Sequence, residues 1–178
     1  DLIAIVSLYR PGPMSEIPKF IANKHSPENI VYSDERLKPV LKDTYGCLVY
    51  QEQVMKMFQI LAGYSLGRAD IVRRAMSKKK KDVIEREKNI FINGLKDENG
   101  NVIIEGALSR GVPEEVCNKL MDQMTAFAAY AFNKSHAAAY SIISYQTAWL
   151  KYYYPIEYMC AVVSLLDGND VPEKRSKY

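Results

Sequence analysis

Residues 50–61 read Tyr-Gln-Glu-Gln-Val-Met-Lys-Met-Phe-Gln-Ile-Leu, and this stretch decides the fold class. Its apolar side chains Val54, Met57, Phe58 and Leu61 recur at the spacing of one helix face, and Gly63 suits a C-terminal stop. Helical patterns recur along most of the chain. We therefore predict a mainly α, compact helical domain with at most a short strand or hairpin near Val102–Ile104.

The flanking segments give further local expectations. Ser65 is predicted to cap the next helix, and Leu95 to lie on the apolar side of a helix that follows the lysine run. Pro113 is expected at a first helical position, whereas a loop is expected around Pro18 and Pro27. Ser135 is a candidate N-cap for a nearly all-apolar helix that continues to about residue 154.

Length and composition exclude several classes of protein. The chain has 178 residues, of which 48% are hydrophobic and 25% are charged, and its formal net charge is +3. These are the proportions of a globular protein and not of a disordered one. The three cysteines are far apart and form no CxxC pair, so neither a disulfide framework nor a zinc site is indicated. No signal peptide and no membrane span is expected.

The ends of the sequence suggest a piece of a longer polypeptide. It begins inside an apolar run without an initiator Met and stops within a charged run. We expect one domain over residues 1–166, followed by a charged, flexible tail over residues 167–178 that leads to the next domain.

Positive charge is concentrated in residues 68–88. This segment holds nine basic and four acidic residues, a net charge of +5, so the rest of the chain sums to −2. Such a face is typical of a polyanion site. Arg73 and Arg74 are the stronger candidates because two successive arginines cannot both pack against a core and because guanidinium groups bind phosphate bidentately. For the lysines at 78–81, taken alone, a solvated helix start is the favoured interpretation.

A second candidate site is the turn from Asn133 through Lys134 and Ser135 to His136. A helix start with unpaired N–H groups beside Lys134 and His136 would attract an anion. The alternative is a simple cap with a local hydrogen bond. Tyr130 and Tyr140 flank the turn and could contact a base. His25 is expected to be solvated, and the aromatic residues at 149–158 to lie in a core or an interface.

No constellation for catalysis is visible. Two-metal phosphoryl transfer needs converging carboxylates, and the sequence has no Asp-x-Asp, no GxxxxGK[ST] loop and no nucleophile motif near either histidine. We therefore expect no catalytic residue and no metal ligand in this chain. Two hypotheses remain open beside an enzyme part: a stand-alone helical nucleic-acid-binding module, and a purely structural helical domain.

Six motifs in one order closely resemble the fingers domain of the bacterial replicative DNA polymerase III alpha subunits, the C-family or DnaE-type polymerases. They are LYRPGPM at 8–14, TYGCLVYQEQVM at 44–55, LAGYSL at 61–66, ADIVRRAM at 69–76, YAFNKSHAAAY at 130–140 and SYQTAWLK at 144–151. The resemblance extends from about Leu2 to Val163. Ala131 and Ser77 depart from it, since many members have glycine there, and Ala131 would be strained if its φ were positive.

The resemblance implies a DNA-directed DNA polymerase whose fingers bind the incoming deoxynucleoside triphosphate. The implied nucleotide-binding residues are Arg73, Arg74, Asn133, Lys134, Ser135, His136 and Tyr140. The residues that we assign to the attraction of DNA or phosphate are Lys78, Lys79, Lys80, Lys81 and Arg10. Mg²⁺ would be held by palm aspartates outside this chain. The implied partners are primer-template DNA, the palm and other domains, and replisome subunits such as the sliding clamp, in the cytoplasm at the nucleoid and not at a membrane.

Overall fold

The computed structural model describes residues 1–165, which divide into two packed units. The first unit is Asp1–Ala137, and the second begins at Ala138. The domain expected over residues 1–166 stays a prediction, and the tail expected over residues 167–178 lies outside the described residues.

The mainly α prediction is confirmed over residues 1–165. The helices are α1 (Leu2–Leu8), α2 (Ile17–His25), α3 (Lys38–Leu41), α4 (Gln51–Ala62), α5 (Leu66–Ser77), α6 (Lys81–Asn93), α7 (Glu114–Ala128), α8 (Lys134–Tyr153) and α9 (Pro155–Ser164). Short 3₁₀ turns cover Pro13–Glu16, Pro27–Asn29, Glu35–Leu37 and Lys42–Thr44. The strands are β1 (Leu95–Lys96) and β2 (Val102–Ile104), which pair antiparallel as the predicted hairpin.

The larger core of the first unit lies among α4, α5, α6 and α7. The apolar stripe predicted on α4 is fully buried there. Phe58 is at its centre, with its ring centroid 5.3 Å from that of Phe91 and 5.1 Å from that of Tyr64. Burying a side chain of this size contributes about 1.5–3 kcal/mol. The helical periodicity of the sequence therefore correctly identified the face that holds this unit together.

A second, smaller apolar cluster joins the N-terminal helices to the segment before α4 and to the first turn of α8. Its buried members come from four separate stretches of the chain, namely Ala4, Leu8, Phe20, Cys47, Val49, Tyr50 and Ala137. This cluster brings the N-terminal motif, the motif before α4 and the turn before α8 into one region. No single stretch of the sequence predicts this cluster.

Helix boundaries are where local signals succeed or fail. Gly63 ends α4 with φ of 77°, and the Ser65 hydroxyl accepts a hydrogen bond from the Arg68 N–H at 3.3 Å, so both predicted signals are confirmed. The predicted loop around Pro18 is wrong, since Pro18 lies in the first turn of α2, where a missing N–H costs nothing. Pro113 is the N-cap of α7, one position before the expected one.

Leu95 is also placed differently from the prediction. Helix α6 ends at Asn93 because Gly94 has φ of 85°, so Leu95 lies in β1 opposite Ile104. The two chain segments that flank the hairpin pack closely, since a Cβ on Gly106 would lie 2.3 Å from the Gly94 nitrogen. Only glycine permits this approach.

Candidate functional site

Arg73 and Arg74 lie on α5 one turn after Asp70, and both pair with it. Asp70 Oδ1 accepts a hydrogen bond from Arg73 Nη2, and Asp70 Oδ2 lies 2.7 Å from Arg74 Nη2. The Arg73 side chain is only 15% exposed, whereas that of Arg74 is 66% exposed. Successive helical side chains point about 100° apart, which separates the two. Arg74 is therefore the one that faces solvent.

The electrostatics of this trio follow from the two hydrogen bonds. The bond from Arg73, reinforced by the bond from Arg74, lowers the pKa of Asp70 below its ordinary value. Asp70 is consequently ionised at neutral pH. Two guanidinium groups share one carboxylate, and the trio carries a net charge of about +1.

Other cations of residues 68–88 are also paired within the first unit. Arg68 Nη2 donates to Glu87 Oε1 at 2.9 Å, and Tyr64 donates to Glu87 Oε2 at 3.1 Å. Glu87 is buried, and burial raises the pKa of the Tyr64 phenol. Lys88 pairs with Asp122 at 3.1 Å. Fewer of the positive charges in this segment are therefore available to a ligand than the count of basic residues suggests.

The lysines at 78–81 are exposed, and within residues 1–165 their side chains make no ion pair. Their backbone closes α5. The Lys80 N–H donates to the Ala75 carbonyl at 3.1 Å and the Lys79 N–H to the Met76 carbonyl at 2.9 Å, with φ of 52° at Lys79. This is a Schellman ending that places a lysine where glycine is favoured. The run therefore has a structural role whether or not it attracts DNA.

Ser77 accounts for one departure from the resembled family. Its hydroxyl lies 2.7 Å from the carbonyl oxygen of Ala128, at the end of α7, and 3.1 Å from that of Arg73. The hydroxyl therefore links the C-terminal ends of α5 and α7, a contact that glycine could not make.

Gln51 holds the segment that leads into α8. Its backbone N–H donates to the Phe132 carbonyl at 2.9 Å, and its side-chain Nε2 donates to the Ala131 carbonyl at 3.0 Å. The Phe132 N–H in turn donates to the Val49 carbonyl at 3.3 Å, which forms a short parallel bridge. Ala131 is not among the residues with positive φ, so the strain considered for it does not arise.

Arg10 holds the same segment from the other side. Its Nη2 donates to the Tyr130 carbonyl at 2.7 Å, its Nε donates to the Ser7 carbonyl at 3.0 Å, and its guanidinium carbon lies 4.3 Å from the centroid of the Phe132 ring. A Cβ on Gly12 would lie 2.7 Å from the Tyr130 ring, so glycine is required there. The structure thus gives Arg10 internal contacts, and its predicted attraction of DNA stays a prediction.

Helix α8 begins at Lys134, and its first turn is capped twice. Asn133 Oδ1 accepts from the His136 N–H at 2.8 Å, so Asn133 is the N-cap; the prediction of Ser135 is wrong because Ser135 lies inside the first turn. The Lys134 N–H donates to both carboxylate oxygens of Glu52, at 3.0 and 3.1 Å. An anion does lie at this helix start, and it belongs to the chain itself.

Gln53 supports this arrangement from inside the first unit. Its Oε1 accepts from the N–H groups of Val49 and Tyr50 at 2.8 and 2.9 Å. Its Nε2 donates to Thr44 Oγ1 at 2.7 Å and to the Val40 carbonyl at 3.2 Å. The amide is buried and uses both its oxygen and its nitrogen, so the chain direction before α4 is fixed.

A cavity of about 400 Å³ opens beside the Glu52 contact. Glu52, Lys56, Lys134 and Asp43 line it together with Tyr50, so its charge is mixed. Lys134 Nζ lies 5.4 Å from the centroid of the Tyr50 ring. Burial raises the pKa of Tyr50 to about 12, so its phenol stays protonated at neutral pH.

The remaining predicted residues lie on or near α8. His136 is exposed, with its ring centroid 5.4 Å from that of Phe132. Tyr140 belongs to the second unit and is 51% exposed. In that unit the ring centroid of Trp149 lies 5.0 Å from that of Tyr153, yet both side chains are exposed, so among the described residues they form no core and their interface role stays a prediction. His25 is exposed at the end of α2, as expected.

Metal-binding clusters and membrane-spanning helices can be assessed over residues 1–165. No three His, Cys, Asp or Glu side chains there approach closely enough to hold a metal ion. The binding of Mg²⁺ by palm residues outside this chain stays a prediction. No helix in the same range has the length and apolarity needed to cross a bilayer.

Sequence reasoning missed the residues that position the two sites. Asp70 could have been found, since acids three and four residues before arginines on a helix form ion pairs. Glu52 and Gln51 offer no local signal because their partners lie about eighty residues away in sequence.

The comparisons with known proteins agree with one another. The family model described as "Bacterial DNA polymerase III alpha subunit finger domain" matches residues 1–99, which is more than half of the chain.

Among curated proteins, the chain is similar to the DNA polymerase III alpha subunits of several bacteria. That of Xylella fastidiosa is 52% identical over 171 residues (96% of this chain, 13% of the relative), and that of Thermus aquaticus is 48% identical over 170 (93% and 13%). That of Bacillus subtilis is 43% identical over 178 residues (100% and 15%). The chain thus spans about one seventh of the length of these relatives.

Proposed function

Since the chain belongs to the bacterial DNA polymerase III alpha subunit finger-domain family, we propose that it binds the incoming deoxynucleoside triphosphate as part of a DNA-directed DNA polymerase. The observation that carries this proposal is the pair of guanidinium groups around Asp70, with Arg74 exposed at the surface of α5. The chemistry is that of a nucleotidyltransferase, completed by residues outside this chain.

In this proposal Arg73 and Arg74 neutralise charge on the β- and γ-phosphates. They thereby orient the α-phosphate for in-line attack by the primer 3′-hydroxyl. Phosphoryl transfer depends mainly on positioning and electrostatic stabilisation, which guanidinium groups provide. The 66% exposure of Arg74 supports a direct phosphate contact. Arg73 is mostly covered, and its positive charge attracts the phosphates without such a contact.

In this proposal the turn from Asn133 to His136 forms an edge of the pocket for the nascent base pair, and the nucleotide contact of Tyr140 stays a separate prediction. Support comes from the hydrogen bonds that fix this turn: Arg10 and Gln51 hold the preceding carbonyl groups, and Glu52 holds the first N–H of α8. A segment held at successive peptide groups can present Lys134 and His136 in one geometry. Such preorganisation lowers the cost of binding.

In the same proposal, the lysines at 78–81 attract DNA or triphosphate toward the arginine pair of α5. Their exposure and lack of ion pairs within residues 1–165 support that role. The wider assembly includes primer-template DNA, the palm, which holds Mg²⁺, and replisome subunits such as the sliding clamp. It would act in the cytoplasm at the nucleoid.

The test is steady-state kinetics of a polymerase III alpha subunit that carries this chain as its fingers segment. Arg74→Ala should remove about 2–4 kcal/mol of transition-state stabilisation, which is measured as a lower kcat/KM for nucleotide. Arg86→Ala is the matched control, because Arg86 belongs to the same basic segment and is 71% exposed. An unchanged kcat/KM for Arg74→Ala, or an equal loss for Arg86→Ala, would remove Arg74 from the proposed role.

A second candidate, a stand-alone nucleic-acid-binding module, is favoured by the four exposed lysines alone. It requires the chain by itself to bind duplex DNA tightly, with an affinity that falls steeply as salt rises. The polymerase proposal requires weak binding of DNA by the isolated chain. A salt series of DNA binding separates the two functions.

A further inference from the structure

We propose that Asp70 is an exchangeable counter-ion that sets the affinity of the arginine pair for polyphosphate. A triphosphate would replace the Asp70 carboxylate on Arg74, while Asp70 keeps its contact with Arg73. This inference rests on the proposed function, because it assigns the regulation of affinity at the same site.

The two contacts of Asp70 are separable because each uses a different carboxylate oxygen. Oδ1 contacts Arg73 and Oδ2 contacts Arg74. A phosphate oxygen that takes over Arg74 therefore leaves the Oδ1 contact intact. Bidentate guanidinium–phosphate geometry is available once Oδ2 is released.

Burial decides which contact is exchanged. The Arg74 side chain is 66% exposed, so its ion pair can open without uncovering apolar surface. The Arg73 side chain is 15% exposed, and its buried Nε has no hydrogen-bond partner among the described residues. Breaking the Oδ1 contact would take a hydrogen-bond partner from this covered guanidinium, whereas the exposed Arg74 can turn to solvent. Arg73 is therefore the anchor and Arg74 the exchanging group.

The carboxylate opposes an incoming phosphate in two ways. It occupies Arg74, and its negative charge repels the ligand at short range. Removing that charge should tighten polyphosphate binding by about two- to fivefold, the size expected for an exposed ion pair. A carboxylate that only positioned the arginines would give the opposite sign, because its loss would loosen them.

The experiment titrates inorganic triphosphate into the 178-residue chain without divalent cations. The Nε–Hε NMR signals of Arg73 and Arg74 report binding. Asp70→Asn is compared with Asp82→Asn, which makes the same charge change at an exposed acid of the same basic segment. Asp70→Glu keeps the charge and serves as a second variant, and Arg74→Ala removes the exchanging group.

We expect tighter binding for Asp70→Asn alone, with Asp82→Asn and Asp70→Glu close to the unchanged chain. Equal or weaker binding by Asp70→Asn, or equal tightening by Asp82→Asn or Asp70→Glu, would overturn the counter-ion role. Failure of the proposed function looks different: Arg74→Ala would then bind triphosphate as well as the unchanged chain does, at any charge of residue 70.

Discussion

The trio of Asp70, Arg73 and Arg74 on α5 and the turn before α8 are built in opposite ways. Asp70 meets its arginine partners three and four residues along one helix. The turn is held by Gln51 and Glu52, about eighty residues earlier, and by Arg10, 120 residues earlier. A site made within one helix needs only that helix, whereas the turn exists only when the first unit is folded. The turn should therefore be the more fragile of the two.

The largest expected effect tests that fragility at Gln53. Replacing Gln53 with Leu removes the acceptor for two buried N–H groups, those of Val49 and Tyr50, and should lower the free energy of unfolding by about 3 kcal/mol. Urea unfolding measures this. Gln123→Leu at an exposed position of α7 is the matched control and should change little. A loss under 1 kcal/mol for Gln53→Leu would contradict the dependence of the turn on this buried amide.

A smaller effect of opposite sign is expected at the end of α5. Lys79 has φ of 52°, where a side chain is strained, so Lys79→Gly should raise the free energy of unfolding by about 1 kcal/mol. Lys80→Gly removes the same charge at a residue with φ of −76° and should not stabilise the chain. Thermal unfolding of both variants shows whether backbone strain or charge causes the effect. Equal effects would mean that charge, and not backbone conformation, governs this ending.

The smallest effect concerns the ion pairs of Asp70. The arginines lower its pKa in the folded chain, so its contribution is present above the unfolded pKa and is lost as pH falls through the lower folded pKa. Asp70→Asn should thus cost about 0.5 kcal/mol at pH 7 and nothing once the carboxylate is protonated. Unfolding measured from pH 7 down to pH 2 tests this. A difference that persists at the acid end would refute an electrostatic origin.

The same contrast explains how far the sequence could predict the structure. The buried stripe of α4, its end at Gly63 and the cap at Ser65 depend on residues within a few positions, and all three were predictable. The strand Val102–Ile104 was predictable for the same reason. Leu95 was misplaced because a helical pattern does not reveal that Gly94 takes φ of 85°.

The candidate sites divide in the same way. The arginine pair was visible as a cluster of charge, although its partner Asp70 was overlooked. At the turn, Ser135 was predicted to be the cap, whereas Asn133 takes that position, which depends on where Gln51 and Glu52 hold the preceding segment. That information lies in tertiary contacts, which no local pattern contains.

In the proposed function, this chain binds a deoxynucleoside triphosphate at the arginine pair of α5 and at the turn before α8. An NMR titration of the chain with a deoxynucleoside triphosphate and Mg²⁺ tests it most directly. We expect chemical-shift changes confined to residues 73–81 and 133–136. Changes centred elsewhere, or none at saturating nucleotide, would contradict it.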